Sequence, residues 1–163
     1  MEKRILINNP IALDRVQIEQ DLRGGNQVIV QFSHPEFYGS ILEEVDELCA
    51  RWDEDFGVRF YAHYSLSFDC QNLLRIPHVK MLQLNSLVQA HHTEALAKLD
   101  NLYSLSLGIY ELENSEILGI DTLRSLKILN IISDKKILNL QYFKEFSYLE
   151  ELHVGARLKT LMQ

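Results

Sequence analysis

The six histidines are the residues of this chain best suited to chemistry, either as metal ligands or as acid–base groups. A zinc site needs three or four His, Cys or carboxylate ligands converging on one point. His91 and His92 are neighbours, so their side chains diverge in an extended segment, and no Cys or carboxylate stands at metal spacing beside them. His34 precedes Pro35 and His78 follows Pro77, which marks both as loop residues. Nucleophile signals are equally thin, with no G-x-S-x-G, no phosphate loop and no H-E-x-x-H. Cys49 and Cys70 lie in apolar surroundings and read as buried free thiols, which suits a reducing compartment. The acidic flank of Cys49 raises rather than lowers a thiol pKa. Arg23-Gly24-Gly25-Asn26 reads as a helix stop, and Glu111, Glu113 and Glu116 as a solvated loop. These residues predict no catalytic group, no metal and no cofactor. The alternative is a metal-dependent hydrolase-type enzyme using His34, His63 and neighbouring acids of the N-terminal part, although nothing in their spacing demands it.

The elements that would position any site follow from a leucine ladder. An apolar-x-x-apolar-x-apolar frame appears as Val79, Leu82, Leu84, as Leu102, Leu105, Leu107, as Leu126, Leu129, Ile131 and as Leu149, Leu152, Val154. Its second position falls at 82, 105, 129 and 152, a period of 23 or 24 residues. Such a period predicts an α/β solenoid of stacked strand-plus-return units. Before each strand, apolar residues recur every third position, as in Ile117, Ile120, Leu123, Leu126 and in Cys70, Leu73, Ile76, Val79. That spacing suits short 3₁₀ or extended return segments better than an α-helix. One 22-residue step back from Leu82 and Leu84 lands on Phe60 and Ala62, so five parallel strands are expected near Tyr61, Gln83, Ser106, Asn130 and His153.

The four frames and their upstream every-third residues resemble the leucine-rich repeats of short, internalin-type bacterial proteins over residues 70–163. The resemblance implies a recognition scaffold that binds on its concave sheet face. The family's Asn ladder is absent, because Leu87, Tyr110, Asp134 and Arg157 stand where Asn is usual, so irregular curvature is expected. Residues 57–163 make up the repeat solenoid, and residues 1–56 an α/β N-terminal cap continuous with it. Within the cap, Ile5–Ile7 and Gln27–Phe32 read as strands, and Asn9-Pro10 with Gly24-Gly25 brackets a helix. Ser40 and Glu43 give a capping-box signal for a second helix, with Leu42, Val45, Leu48, Cys49 and Trp52 on one face. After the last frame, Leu158-x-x-Leu161 opens a further unit that stops at Gln163. This reads as a truncated array or as an end that self-associates.

Strand side chains alternate, so with the ladder leucines inside, the intervening residues face out. The predicted partner-binding columns are Arg59, Met81, Ser104, Ile128 and Glu151, then Tyr61, Gln83, Ser106, Asn130 and His153, then His63, Asn85, Gly108, Ile132 and Gly155. His63 and His153 lie four strands apart, about 19 Å, too far to share a metal. Amide and hydroxyl groups beside exposed Met81, Ile128 and Ile132 point to protein contact rather than a catalytic cleft.

The formal charge of −7 is local. Between Glu36 and Asp55, Glu36, Glu43, Glu44, Asp46, Glu47, Asp53, Glu54 and Asp55 face a single base, Arg51, and the 143 residues outside that window balance at 15 acids and 15 bases. An acidic patch repels phosphate backbones and anionic lipid, which argues against nucleic acid and membrane and favours a basic protein partner. With no secretory or membrane-spanning stretch, the chain reads as cytoplasmic. The expected function is a non-enzymatic protein-binding module, of bacterial immunity or regulatory type.

Overall fold

The computed structural model describes residues 1–64, 66–112, 114, 116–138 and 140–158, without the side chains of 133–138, 140 and 156–158. Glu113, Leu161 and the side chain of Leu158 therefore lie outside the described residues.

Alternating apolar residues build the strands, which are β1 (Arg4–Asn8), β2 (Gln27–Phe32), β3 (Phe56–Tyr61), β4 (Phe68–Asp69), β5 (Met81–His91), β6 (Ser104–Glu111), β7 (Ile128–Leu138) and β8 (Glu151–Leu158). Among the described residues they form one parallel sheet in the order β1-β2-β3-β5-β6-β7-β8, with β4 paired to the last residues of β5. The protein is thus α/β, and the strands of residues 1–56 continue the sheet of the later residues. Before β5, β6, β7 and β8 the chain runs through 3₁₀ segments at Cys70–Arg75, Thr93–Lys98, Asp121–Ser125 and Leu140–Glu145. Their i→i−3 bonds recur in step: Ile76 N–H to Leu73 O, Leu99 to Leu96, Leu123 to Ile120 and Phe146 to Phe143. Three residues per turn put every third side chain on one line, which is why Leu73, Ile76 and Val79 all reach the core. The ladder registers as expected, with Leu82, Leu105, Leu129 and Leu152 as successive partners across β5 to β8.

Two α-helices cover the first strands. Helix α1 (Arg15–Arg23) is capped by Asp14, which accepts from Gln17 N–H, and it buries Ile18 and Leu22. Helix α2 (Leu42–Arg51) buries Leu42, Val45, Leu48 and Cys49. The expected capping box is not formed. Ile41 is the N-cap without a side-chain bond, because Glu43 is drawn instead to Arg75, at 2.7 Å from both Nε and Nη2. At its other end Lys80 Nζ donates to the carbonyls of Cys49 and Trp52, placing a cation at the negative end of the helix dipole. No helix among the described residues is long and apolar enough to cross a membrane.

The pairing of β3 differs from the expected alignment. Val58 and Phe60, not Phe60 and Ala62, lie beside Leu82 and Leu84, so the first step is 24 residues and every β3 residue moves two places. Ala62 cannot serve as a strand position because it and His63 are both left-handed, at φ 63° and 52°, which ends β3 at Tyr61. Met81 consequently faces Gly57. The missing side chain leaves room that Met81 fills: a Cβ on Gly57 would lie 2.4 Å from Met81 Cε. Met81, expected to be exposed, is therefore 5 % exposed.

Candidate functional site

The sheet face away from the ladder leucines carries one polar row through its middle. Asn8, Gln31, Arg59, Gln83, Ser106, Asn130 and His153 are successive register partners. Parallel strands in register bring like positions side by side, so amides line up into mutual hydrogen bonds. Gln31 Nε2 donates to Asn8 Oδ1 (3.3 Å), Arg59 Nη1 to Gln31 Oε1 (3.1 Å) and Arg4 Nη2 to Gln83 Oε1 (3.0 Å). Ser106 Oγ donates to Asn85 Oδ1 (2.8 Å), and the Tyr61 hydroxyl to Asn8 Oδ1. The Arg59 guanidinium lies 4.7 Å from the Tyr61 ring centroid.

Arg59 and Arg4 are the cations of this row, and among the described residues neither has a carboxylate partner. Arg59 Nε is buried without a hydrogen bond among the same residues. Burial, and then the charge of Arg4, push the Arg59 guanidinium below its ordinary pKa, although a guanidinium stays charged at neutral pH. Arg59 borders a groove of about 420 Å³ that includes Asn85, Ser106, Asn130, Ile132 and Tyr110, a size in the range of ligand sites.

Of the predicted binding residues, Arg59, Asn85, Ser106, Asn130 and Ile132 meet at this groove. Tyr61 and Gln83 adjoin it through Arg59 and Asn85. Ser104 and Ile128 pair two residues earlier on the same face, and Glu151 and His153 stand at its far edge, with His153 Nε2 4.0 Å from a Glu151 oxygen. Because β3 shifts by two, Arg59 rather than Tyr61 occupies the central column, which therefore carries a charge. Met81 is covered by its packing on Gly57 and does not reach this face as an exposed side chain. His63 is not on this face at all: at 2 % exposure its Nδ1 donates to Tyr61 O (2.7 Å), and its ring packs among Tyr38, Phe68 and His34. Burial is the main cause that lowers its pKa.

The groove also includes Ser86, Leu87 and Val88, which alternation alone does not place there. Between Leu84 and Leu87 the register slips past β6, where Leu107 and Ile109 are the partners. The extra residue is Ser86, at φ 54°, a β-bulge that raises the chain along the groove. The signal lies in the spacing, because Leu84-x-x-Leu87 holds one residue more than Leu107-x-Ile109. Opposite the bulge Gly108 allows close approach: a Cβ there would sit 3.4 Å from Asn85 Cα and Ser86 N.

The acidic patch divides in two. On α2, Glu43 pairs with Arg75, Glu44 and Glu47 with Arg15 at 3.1 and 2.6 Å, and Asp46 with His78 at 2.8 Å. The Arg75 hydrogen bond is the main cause that holds Glu43 down to about 2. Asp53, Glu54 and Asp55 form no ion pair among the described residues. Burial, and then Glu2 and their mutual repulsion, raise the pKa of Asp55.

His34 and His63 do not assemble a centre. The His63 nitrogens face Tyr61 O and the Tyr38 hydroxyl, and His34 turns to Glu36. Cys49 and Cys70 are free and buried, and burial is the main reason each thiol is pushed up to about 12. One expectation is corrected outright: His91 and His92 do not diverge, and Asp69 stands against both, at 3.6 and 2.9 Å. Comparison with protein-family models, with curated proteins and with solved structures found no match to this chain.

Proposed function

We propose that the chain is a non-enzymatic binding module, a leucine-rich-repeat solenoid that holds a protein partner on the concave face of its sheet. The observation that carries this reading is the groove beside Arg59. It has amides and hydroxyls in a row, an apolar wall from Val88 and Ile132, and two guanidinium groups with no carboxylate partner among the described residues. Such a surface lacks an assembled nucleophile or acid–base pair and offers what a protein contact uses, apolar area beside fixed donors. Arg4 and Arg59 suit an acidic group of the partner, since a desolvated guanidinium gains most from a carboxylate. The α2 acids contribute less to recognition than their number suggests, because Arg15, Arg75 and His78 already occupy them. Within this class, a bacterial protein of immunity or regulatory type acting in the cytoplasm is the specific reading we favour.

The test is affinity capture from the source cells with three baits: the native chain, Arg59→Glu with Asn130→Lys, and Lys98→Glu as an exposed control away from the groove. A protein retained by the native and control baits and lost by the groove variant is the expected result. Equal retention by all three overturns the concave-face reading, and retention by none overturns the binding module.

A further inference from the structure

Asp69, His91 and His92 come together through two backbone features. Asp69 ends β4 and is the register partner of His91 in the parallel pair with β5, so these two side chains stand next to each other. A third residue in regular strand geometry would point to the opposite side. His92 instead takes a left-handed conformation, φ 55° and ψ 42°, and its ring lies 4.7 Å from that of His91. One donor atom from each of the three residues lies within 4.8 Å of the others.

The carboxylate is held for this role. Asp69 Oδ1 is 2.9 Å from His92 Nδ1 and also accepts the Gln71 backbone N–H at 2.9 Å, while Oδ2 is 3.6 Å from His91 Nε2. Among the described residues its ion-pair partners are these two histidines, with no Lys or Arg to compete. Ser67 Oγ lies 2.8 Å from His91 Nδ1. A proton on Nδ1 donated to that hydroxyl leaves the Nε2 lone pair facing the carboxylate, which is how an outer partner orients a metal-binding histidine. The side chains are 35 to 44 % exposed, so an ion has an entry path and water can complete its shell.

We propose that Asp69, His91 and His92 form a surface site for a divalent transition-metal ion, with Zn²⁺ as the best match. Two imidazole nitrogens and one carboxylate oxygen favour Zn²⁺, Co²⁺ or Ni²⁺ over Mg²⁺ and Ca²⁺, which select oxygen ligands. Bonds of about 2.0 to 2.2 Å in a tetrahedral shell set the ligand atoms roughly 3.3 Å apart. The two imidazole nitrogens lie 2.9 Å from Asp69 Oδ1 and 3.6 Å from Oδ2, and one donor atom from each residue falls within 4.8 Å of the others, so side-chain rotations would bring the three onto one ion. A bound ion would tie β4 to the end of β5. The site is independent of partner binding at the groove.

The test uses the full chain, freed of metal by chelator and dialysis, titrated with ZnCl₂ by calorimetry and with CoCl₂ by visible absorption. The proposal expects one equivalent of either ion, with the intense visible bands of low-coordinate Co²⁺. It also expects MgCl₂ to give no heat. His92→Gln and His91→Gln should each weaken Zn²⁺ binding at least tenfold, and Ser67→Ala about tenfold, the scale on which outer-shell partners act. His78→Gln, at the Asp46 pair, should bind like the native chain. Circular dichroism separates loss of ligand from loss of fold, and the histidine variants leave the Asp69 cap of the 3₁₀ segment intact. Absence of saturable Zn²⁺ binding, or native binding by His91→Gln and His92→Gln, overturns the site.

Discussion

His63 shows how one residue's backbone conformation decides its chemistry. Alternation from Arg59 and Tyr61 puts it on the open face, yet left-handed Ala62 and His63 rotate the imidazole into the core. There the neutral ring satisfies both nitrogens, donating from Nδ1 to Tyr61 O and presenting Nε2 to the Tyr38 hydroxyl at 3.5 Å. Burial, with His34 nearby, disfavours a second proton and lowers the pKa from 6.5. Above that value both folded and unfolded chains are neutral at this residue. As pH falls below 6.5 the unfolded chain takes the proton first, so stability declines until pH passes the lowered folded value. We therefore expect His63→Phe to flatten the loss of stability as pH falls through and below 6.5, read from urea midpoints. A variant with the native slope would show that His63 is not the responsible group. The same kind of turn brings His91 and His92 together: divergence assumes regular strand geometry, and His92 leaves it.

At the scale of elements, the register of β3 depends on a contact that no pattern within the strand announces. Phe56, Val58 and Phe60 alternate in phase with the ladder, but so would a strand shifted by two, because a period of two is blind to even displacements. The choice rests on Gly57 facing Met81 and on the stop at Ala62. Gly57→Val should therefore destabilise the fold by about 1 to 3 kcal/mol through overpacking, and Met81→Ala in the same chain should recover part of that loss. Urea denaturation of the two single variants and the double variant measures both. Strictly additive losses would mean that Gly57 and Met81 do not compete for the same space. The Ser86 bulge teaches the converse, since its extra residue is legible by comparing one unit's spacing with the next.

Across the whole molecule, one apolar core runs from Ile18 under α1 to Phe146 beside the last 3₁₀ segment. Polar ties reinforce it where residues 1–56 meet the later strands: Glu43 to Arg75, Asp46 to His78, and Lys80 to the α2 carbonyls. A shared core predicts one cooperative unfolding event. Fluorescence of Trp52, the single tryptophan, reports the end of α2, and far-ultraviolet circular dichroism reports the sheet. The two should give coincident urea transitions. An earlier fluorescence midpoint would show that residues 1–56 unfold separately.

Much of this organisation is legible in the amino-acid sequence alone. The in-phase leucines, the every-third return residues and the amphipathic α2 face each rest on local periodicity, and local periodicity is set by backbone geometry alone. The same alternation places Arg59, Asn85, Ser106, Asn130 and Ile132 on one surface. What tertiary structure decided were pairings between distant residues and single dihedral choices. These include Gly57 opposite Met81, the capture of Glu43 by Arg75, the inward turn of His63 and the convergence of Asp69 on His91 and His92. Each depends on which residue another strand or helix brings alongside, and a linear pattern carries no term for that neighbour.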